Sequence, residues 1–369
     1  MIIDYINNAP RYSGVGARAY RILQELQKMQ IDQHLELQEK IIDPQQTNLK
    51  SWPGVLGSKS VGWVRLGRKY SKRAKADVFD ITNQTMSFLA RRLSPSVVTV
   101  HDIIELLEPQ DKRAALLNKY LYSGIPRASH IIAVSEYTKQ SIKEHYEVQG
   151  SKITVIPNGV GEEFYPIENF EQTIGYQELR QTLKLNDAHP IILYVGSDHP
   201  RKNVPIALEV FARLATKRPD AIFVKVGRPG IASGREETVA KIEELGIENR
   251  VRFLGDISDE KLNELYNLAD VLLFPSRLEG FGLPPLQAMA AGLPVVSSNA
   301  TSLPEVVGDA AILSAPNDVD NLLKGVERII EDTKTAAEYR RRGLMRAKNF
   351  SWEKAARQVL GVYKKVAGI

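Results

Sequence analysis

Two stretches of the chain hold residue types suited to binding and moving a charged group. One begins where the apolar run Ile191-Ile192-Leu193-Tyr194-Val195 ends at Gly196 and continues Ser197-Asp198-His199-Pro200-Arg201-Lys202-Asn203. Its two adjacent cations stand ahead of a segment with apolar residues at Ile206, Val210, Phe211 and Leu214, the spacing of an amphipathic helix that Asn203 can cap. At such a strand-to-helix mouth Arg201 and Lys202 form either a clamp for a diphosphate or an ordinary solvated pair. The other stretch runs Phe274-Pro275-Ser276-Arg277-Leu278-Glu279-Gly280-Phe281-Gly282-Leu283-Pro284-Pro285-Leu286-Gln287, a second apolar run ending in a glycine loop, with Pro284 at the first helical position. Free N–H groups and the positive end of the helix dipole make an anion site there, and Gly280 and Gly282 let backbone approach a ligand; a plain tight turn is the alternative. His101 follows Val97-Val98-Thr99-Val100, at a strand's carboxyl end, either against a ligand or hydrogen-bonded in the interior. Gly14-Val15-Gly16 with Ala19 spells a dinucleotide fingerprint, but Ile6 to Ser13 separate it from its strand.

These residues need a frame that gathers strand ends. Short Val- and Ile-rich runs alternate with amphipathic stretches, the pattern of parallel strands covered on both faces by helices, so the fold class is α/β. Strands are expected at 2–5, 78–81, 97–100 and 131–134, and in a second series at 191–195, 221–226, 251–254, 271–274 and 295–297. A chain of 369 residues suits two domains. The polar, proline-bounded stretch 166–190 is the expected linker between an N-terminal domain, 1–165, and a C-terminal one, 191–350. Residues 351–369 read as a final amphipathic helix capped by Ser351.

Composition narrows the function classes. Hydrophobic residues at 43% and charged residues at 25% are ordinary globular usage and exclude a disordered or fibrous chain. The absence of cysteine rules out disulfides, thiolate nucleophiles and cysteine-ligated metals, and six histidines without an H-x3-H pair make a metal site unexpected. No apolar run reaches the length of a membrane span, and the first residues lack the pattern of a signal peptide, so a cytosolic protein is expected. The net charge of +5 is unevenly placed: residues 1–165 hold 22 Lys+Arg against 17 Asp+Glu, and the remainder holds 27 of each. Between Asp43 and Asp77 there is no acid, while Lys50, Lys59, Arg65, Arg68, Lys69, Lys72, Arg73 and Lys75 alternate with Trp52, Trp63 and Tyr70. Residues 50–75 thus suit an anionic membrane surface, at roughly 1 kcal/mol per basic residue, or form a solvated loop region. No nucleic-acid module accompanies them, so nucleic acid is not expected as a partner.

In their order and spacing the motifs resemble those of family 4 glycosyltransferases over nearly the whole chain. They are Ser13-Gly14-Val15-Gly16, Val100-His101-Asp102, Ala133-Val134-Ser135-Glu136-Tyr137-Thr138, Val155-Ile156-Pro157-Asn158-Gly159-Val160, Gly196 to Asn203, Val226-Gly227-Arg228, Val251-Arg252-Phe253-Leu254-Gly255 and the stretch around Glu279. The resemblance implies the GT-B fold, two facing Rossmann-like domains with a C-terminal helix crossing back to the first. It implies a retaining transfer, without metal or other cofactor, of a hexose from a nucleoside diphosphate sugar to a glycan or lipid-linked acceptor in polysaccharide or glycolipid assembly, at the cytoplasmic membrane face. The donor would bind mainly to the C-terminal domain and the acceptor to the N-terminal one.

By the same resemblance, His101 contacts the transferred sugar, and Arg201, Lys202 and Glu279 complete the catalytic set. Donor contacts are implied at Gly14, Gly16, Gly196, Gly227, Arg228, Arg252, Phe281, Gly282, Leu283 and Gln287. Ser135 and Thr138 read better as a helix cap and its first turn than as catalysts. Gln287 departs from the family, which has a second glutamate there; that carboxylate accepts from both ribose hydroxyls, whereas an amide offers one acceptor oxygen. UDP-glucose is favoured over GDP-mannose as the commoner donor in such pathways. Rival expectations are a catalytically inactive sugar-nucleotide-binding subunit of a membrane assembly, a sugar-nucleotide epimerase or phosphorylase on the same fold, and an NAD dehydrogenase.

Overall fold

The computed structural model describes residues 1–10, 13–42, 58–72, 74–109, 111–185, 188–230 and 232–369. The chain divides into two compact units, Met1–Gly159 with Ser351–Ile369, and Val160–Phe350. Each is built on a parallel six-stranded sheet flanked by helices.

In the first unit the strands are β1 (Ile2–Asn7), β2 (Glu36–Ile41), β3 (Val78–Ile81), β4 (Ser96–Val100), β5 (His130–Ala133) and β6 (Ile153–Val155), in the order β2-β1-β3-β4-β5-β6. The central strands are buried on both faces, which is why they read as unbroken apolar runs such as Val97-Val98 and Ile131-Ile132. The order reverses between β1 and β3, so the chain leaving β1 and the chain leaving β3 serve opposite halves of the sheet. Helices Gly14–Met29 and Trp352–Ala367 pack together on this sheet. Ser351 caps the last helix, accepting from Lys354 N–H at 3.1 Å. The C-terminal helix therefore belongs to the first unit, as expected of a crossing helix.

That helix closes over a buried polar group. Tyr363 donates to Asp80 Oδ2 on β3 at 2.5 Å, and both residues are almost fully buried. Nearby Arg18, also buried, donates to Asn158 Oδ1 at 2.7 Å and to the Pro157 carbonyl at 3.2 Å. Of the basic segment, Lys50, Trp52 and Arg73 lie outside the described residues, as does the Lys59 side chain. Arg65, Arg68 and Lys69 are exposed on the helix Ser58–Ser71.

The second unit holds β7 (Ile191–Val195), β8 (Ile222–Val226), β9 (Val251–Leu254), β10 (Val271–Phe274), β11 (Val295–Ser298) and β12 (Ile312–Ser314), in the order β12-β11-β10-β7-β8-β9. This is the dinucleotide-fold order, with its reversal between β7 and β10. The Tyr194 ring stacks between Phe223 and Phe274, at 6.3 and 6.2 Å, and ties the three central strands together. Residues 166–190, expected as a linker, fall inside this unit. They form the helix Ile174–Thr182 and bury Phe170, Leu179, Leu183 and Leu185, while Ile167 N–H donates to Asn267 Oδ1 at 2.8 Å. Their apolar contacts were masked by a mostly polar composition, and the compact boundary lies earlier, at Gly159.

Candidate active site

Ligands of open α/β sheets gather where strand order reverses, outside the carboxyl ends. In the second unit those ends belong to β7 and β10, and the two chemistry-bearing stretches leave from them. Pro200, Arg201 and Lys202 form one tight helical turn after β7. Asn203, expected to cap the helix Val204–Lys217 through its side chain, occupies the cap position without making that bond. Its backbone is left-handed, at φ 59°, and its amide nitrogen lies 3.0 Å from the Pro275 carbonyl and 2.8 Å from that of Pro316. Asn203 thus staples the cationic turn to the end of β10.

Glu279 receives both cations. Lys202 Nζ is 2.6 Å from Oε1 and an Arg201 guanidinium nitrogen 3.4 Å from Oε2, while the same nitrogen donates to the Leu278 carbonyl at 2.9 Å. Ser276 Oγ lies 2.7 Å from Oε1, and Glu279 N–H donates to Thr301 Oγ1 at 3.1 Å. Burial pushes the Glu279 carboxyl up, but Lys202, Arg201 and the Ser276 bond outweigh it and hold the group below its ordinary value, so it is ionised. Two cations against one carboxylate leave a net positive charge at the switch point, oriented and ready for an anion.

The glycine loop leads into the helix Leu283–Ala290, with Gly282 at φ 109° and Leu303 so close that a Cβ at Gly282 would stand 2.6 Å from it. Pro284 is the second helical residue, not the first, and Pro285 follows. Two prolines carry no N–H, so the anion-binding donors of this first turn reduce to Gly282 and Leu283. That limit makes the adjacent side-chain cations more important. Phe281, expected at the donor, is buried with its ring edge-on to Phe350 at 5.9 Å. Gln287 is half-buried, and its Oε1 accepts from Tyr266 at 3.3 Å.

Gly196 and Gly227 end β7 and β8 and press together. Gly227, at φ 120°, has no room for a Cβ, which would sit 2.6 Å from the Gly196 carbonyl oxygen. Beneath them lies an ionic cluster that sequence reasoning passed over. Buried Asp198 stands 3.1 Å from Lys225 Nζ and 2.7 Å from Arg235, and Lys225 also donates to the Gly227 carbonyl at 3.1 Å. The available sign was a lysine inside the apolar run Ile222-Phe223-Val224-Lys225-Val226. Arg228 is exposed and paired with Asp256. Arg252, expected at the donor, donates to the Leu183 and Asn249 carbonyls, each at 2.8 Å, and so braces backbone.

In the first unit, His101 is buried at the end of β4, with Nε2 3.1 Å from the Thr82 carbonyl and its backbone N–H donating to Gln84 Oε1 at 3.1 Å. A carbonyl only accepts, so Nε2 carries the proton and Nδ1 keeps its lone pair. Burial and the nearby Arg18 charge depress the imidazole pKa to about 3, leaving it neutral. Ser135 caps its helix, accepting from Thr138 N–H at 3.0 Å. Gly14 opens the helix Gly14–Met29 and is exposed; Gly16 is buried, and a Cβ there would stand 2.0 Å from the Pro10 carbonyl oxygen. Gly16 is thus required by packing. Among the described residues no group of three or more His, Asp or Glu is gathered as metal ligands would be, and no helix is long and apolar enough to cross a membrane.

Two Rossmann-type sheets, the second carrying a cation pair and buried carboxylate at its switch point, define an α/β protein of the nucleotide-binding class. Residues 12–164 match the family described as Glycosyltransferase Family 4, and residues 175–345 match Glycosyl transferases group 1. The O-antigen chain mannosyltransferase B of Escherichia coli is 32% identical over 285 residues, which cover 75% of this chain and 72% of that protein. The serotype-specific mannosyltransferase WbdA of Escherichia coli is 30% identical over 272 residues, 71% of this chain but 32% of that longer one. The Anabaena protein Alr3699/HepE, solved with UDP and glucose, shares the fold at a TM-score of 0.76 with 21% identity, over 98% of each chain. The chain belongs to the family 4 glycosyltransferases, has the GT-B fold, and is an enzyme of glycan assembly that takes a nucleotide-sugar donor and a glycan acceptor.

Proposed function

We propose that the chain is a retaining, metal-independent mannosyltransferase that uses GDP-mannose and extends a glycan or lipid-linked saccharide. The mannosyl names of its relatives favour this sugar over the glucose expected from the sequence. The observation that carries the transferase reading is the cluster of Arg201, Lys202 and Glu279 at the reversal of the second sheet. As the bond from the anomeric carbon to the diphosphate oxygen breaks, negative charge builds on the leaving group. Arg201 and Lys202 oppose that charge, and Glu279 fixes them in place beforehand. The acceptor hydroxyl oxygen bonds to the same face of the anomeric carbon, and its proton passes to the departing phosphate. His101 acts as a neutral hydrogen-bonding group, since no separate base is needed. Gln287 meets the donor ribose with its amide.

The test is a donor screen in EDTA with GDP-mannose, UDP-glucose, UDP-galactose, UDP-N-acetylglucosamine and NAD, reading thermal shift and then slow hydrolysis by proton NMR. GDP-mannose is expected to stabilise the protein and release the α-anomer. Stabilisation by UDP-glucose alone would overturn the sugar assignment, release of the β-anomer the retention, and activity only with added metal the metal independence. Binding without donor consumption across many acceptors would favour an inactive binding subunit. The reading includes docking of the basic segment 50–75 on an anionic membrane; vesicle cosedimentation indifferent to anionic lipid content would contradict it.

A further inference from the structure

On the first unit, the helix Ser58–Ser71, the turn Gln84–Arg91 with Arg92, and the helix Lys112–Leu121 enclose a surface pocket of about 310 Å³. Its lining is Arg68, Phe88, Leu89, Arg91, Arg92 and Tyr120: three arginines and no acid. Arg68 is already oriented, because Nε and one terminal nitrogen donate to the Tyr120 hydroxyl at 3.1 and 2.9 Å. Tyr120 is in turn held by stacking on Phe88, with ring centroids 5.5 Å apart. Arg91 reaches Ser123 Oγ at 3.5 Å. Among the described residues these three arginines make no ion pair, whereas Arg213, Arg218, Arg341 and Arg342 of the second unit each face a carboxylate.

The three arginines are exposed, and their like charges, lining one concavity, favour an anion among them. Their planar forks match phosphate oxygens, and aromatic walls beside them suit the carbon part of an ester. The geometry points to a phosphate-ester site, for the headgroup of an anionic glycerolipid or for a soluble glycerol or sugar phosphate. The pocket is separate from the His101 edge. Arg92 lies ahead of β4 and His101 directly after it, and five strand residues span about 16 Å. The inference does not rest on the transferase reading, since its readout needs no sugar nucleotide.

Glycerol 3-phosphate is titrated into the full chain at low salt and followed by calorimetry, for the unchanged protein, R91Q/R92Q and K69Q/K72Q. The pocket predicts at least a tenfold loss of affinity in R91Q/R92Q and less than a twofold change in K69Q/K72Q, which removes equal charge outside the lining. Unaltered melting temperatures would exclude misfolding as the cause. Cosedimentation with phosphatidylglycerol vesicles, compared with phosphatidylcholine, then separates the sources. Recruitment that needs Arg91 and Arg92 and is displaced by millimolar glycerol 3-phosphate identifies the lipid headgroup; binding of the soluble ester without recruitment identifies the soluble one. No binding by the unchanged protein, or equal losses in the two double variants, overturns the site.

Discussion

At the scale of single residues, the buried carboxylate is what distinguishes the cation pair from surface charge. Exposed arginine–carboxylate pairs in this chain are worth little, but Lys202 and Glu279 meet at 2.6 Å with side chains 13% and 7% exposed, where their geometry is fixed before a ligand arrives. Removing one such oriented donor raises a barrier by on the order of 3 kcal/mol, or ~100-fold in rate. Arg201→Ala and Lys202→Ala are each expected to lower kcat about that much; a change under threefold in both would discard the clamp. Gln287→Glu restores a second acceptor oxygen and should lower the donor KM about fivefold, the value of one net hydrogen bond of about 1 kcal/mol, with kcat largely kept. An unchanged KM would mean that residue 287 does not meet the ribose. His101 is held neutral well below pH 5, so its ionisation should be absent from the kcat/KM profile between pH 5 and 9. The cations were legible from residue type next to a strand-ending glycine, the loop around Glu279 from its glycines and Pro284, and the role of Glu279 only through the resemblance. Asn203, Ser276 and Asp198 were not, because their roles depend on partners 72, 75 and 27 positions away that only the fold brings near.

At the scale of elements, the strands readable from sequence were, apart from the edge strand β9, ones buried on both faces, since hydrophobic runs mark those most clearly. The strands it left unnamed, β2, β6 and β12, are all sheet edges, and β2 in particular, Glu36-Leu37-Gln38-Glu39-Lys40-Ile41, is polar because water covers one side of it. The docking of the C-terminal helix on β3 has a pH dependence of its own. Burial lifts the Asp80 carboxyl to about 7, against the pull of the Tyr363 hydroxyl and of Arg18. The folded unit then keeps a proton that the unfolded chain releases near pH 4, so this group's contribution to stability declines as pH rises from about 4 to 7 and is level above. Asp80→Asn should flatten that decline relative to the unchanged protein. All three tryptophans, Trp52, Trp63 and Trp352, fall within the first unit's residue ranges, so their fluorescence during urea unfolding at pH 5 and pH 8 reads the right unit. An equal decline in both proteins would show that Asp80 does not titrate there.

At the scale of the whole molecule, the two units divide the labour. The first unit holds 26 Lys+Arg against 16 Asp+Glu and the second 23 against 28, and the cation–carboxylate cluster lies in the second. A nucleotide that binds that cluster stabilises its own unit by mass action. GDP added to the full chain is therefore expected to slow hydrogen exchange in residues 196–203 and 276–286, at least tenfold at saturation, and protection confined to residues 1–159 would refute that assignment. The fold class was legible at this scale from alternation alone. The boundary was not, because a polar stretch can still be anchored by four buried side chains, as Phe170, Leu179, Leu183 and Leu185 are.

The return of residues 351–369 to the first unit also sets an order of birth on the ribosome. Chains usually complete their domains from the amino end as they emerge, at roughly 5–20 residues per second. Here the second unit is one unbroken segment, Val160–Phe350, whereas the first waits for the last helix to deliver Tyr363 to Asp80 and Val359 and Leu360 to its core. The half that is translated first is finished last, and a nascent chain stalled near residue 340 carries the first unit's sheet without its last helix.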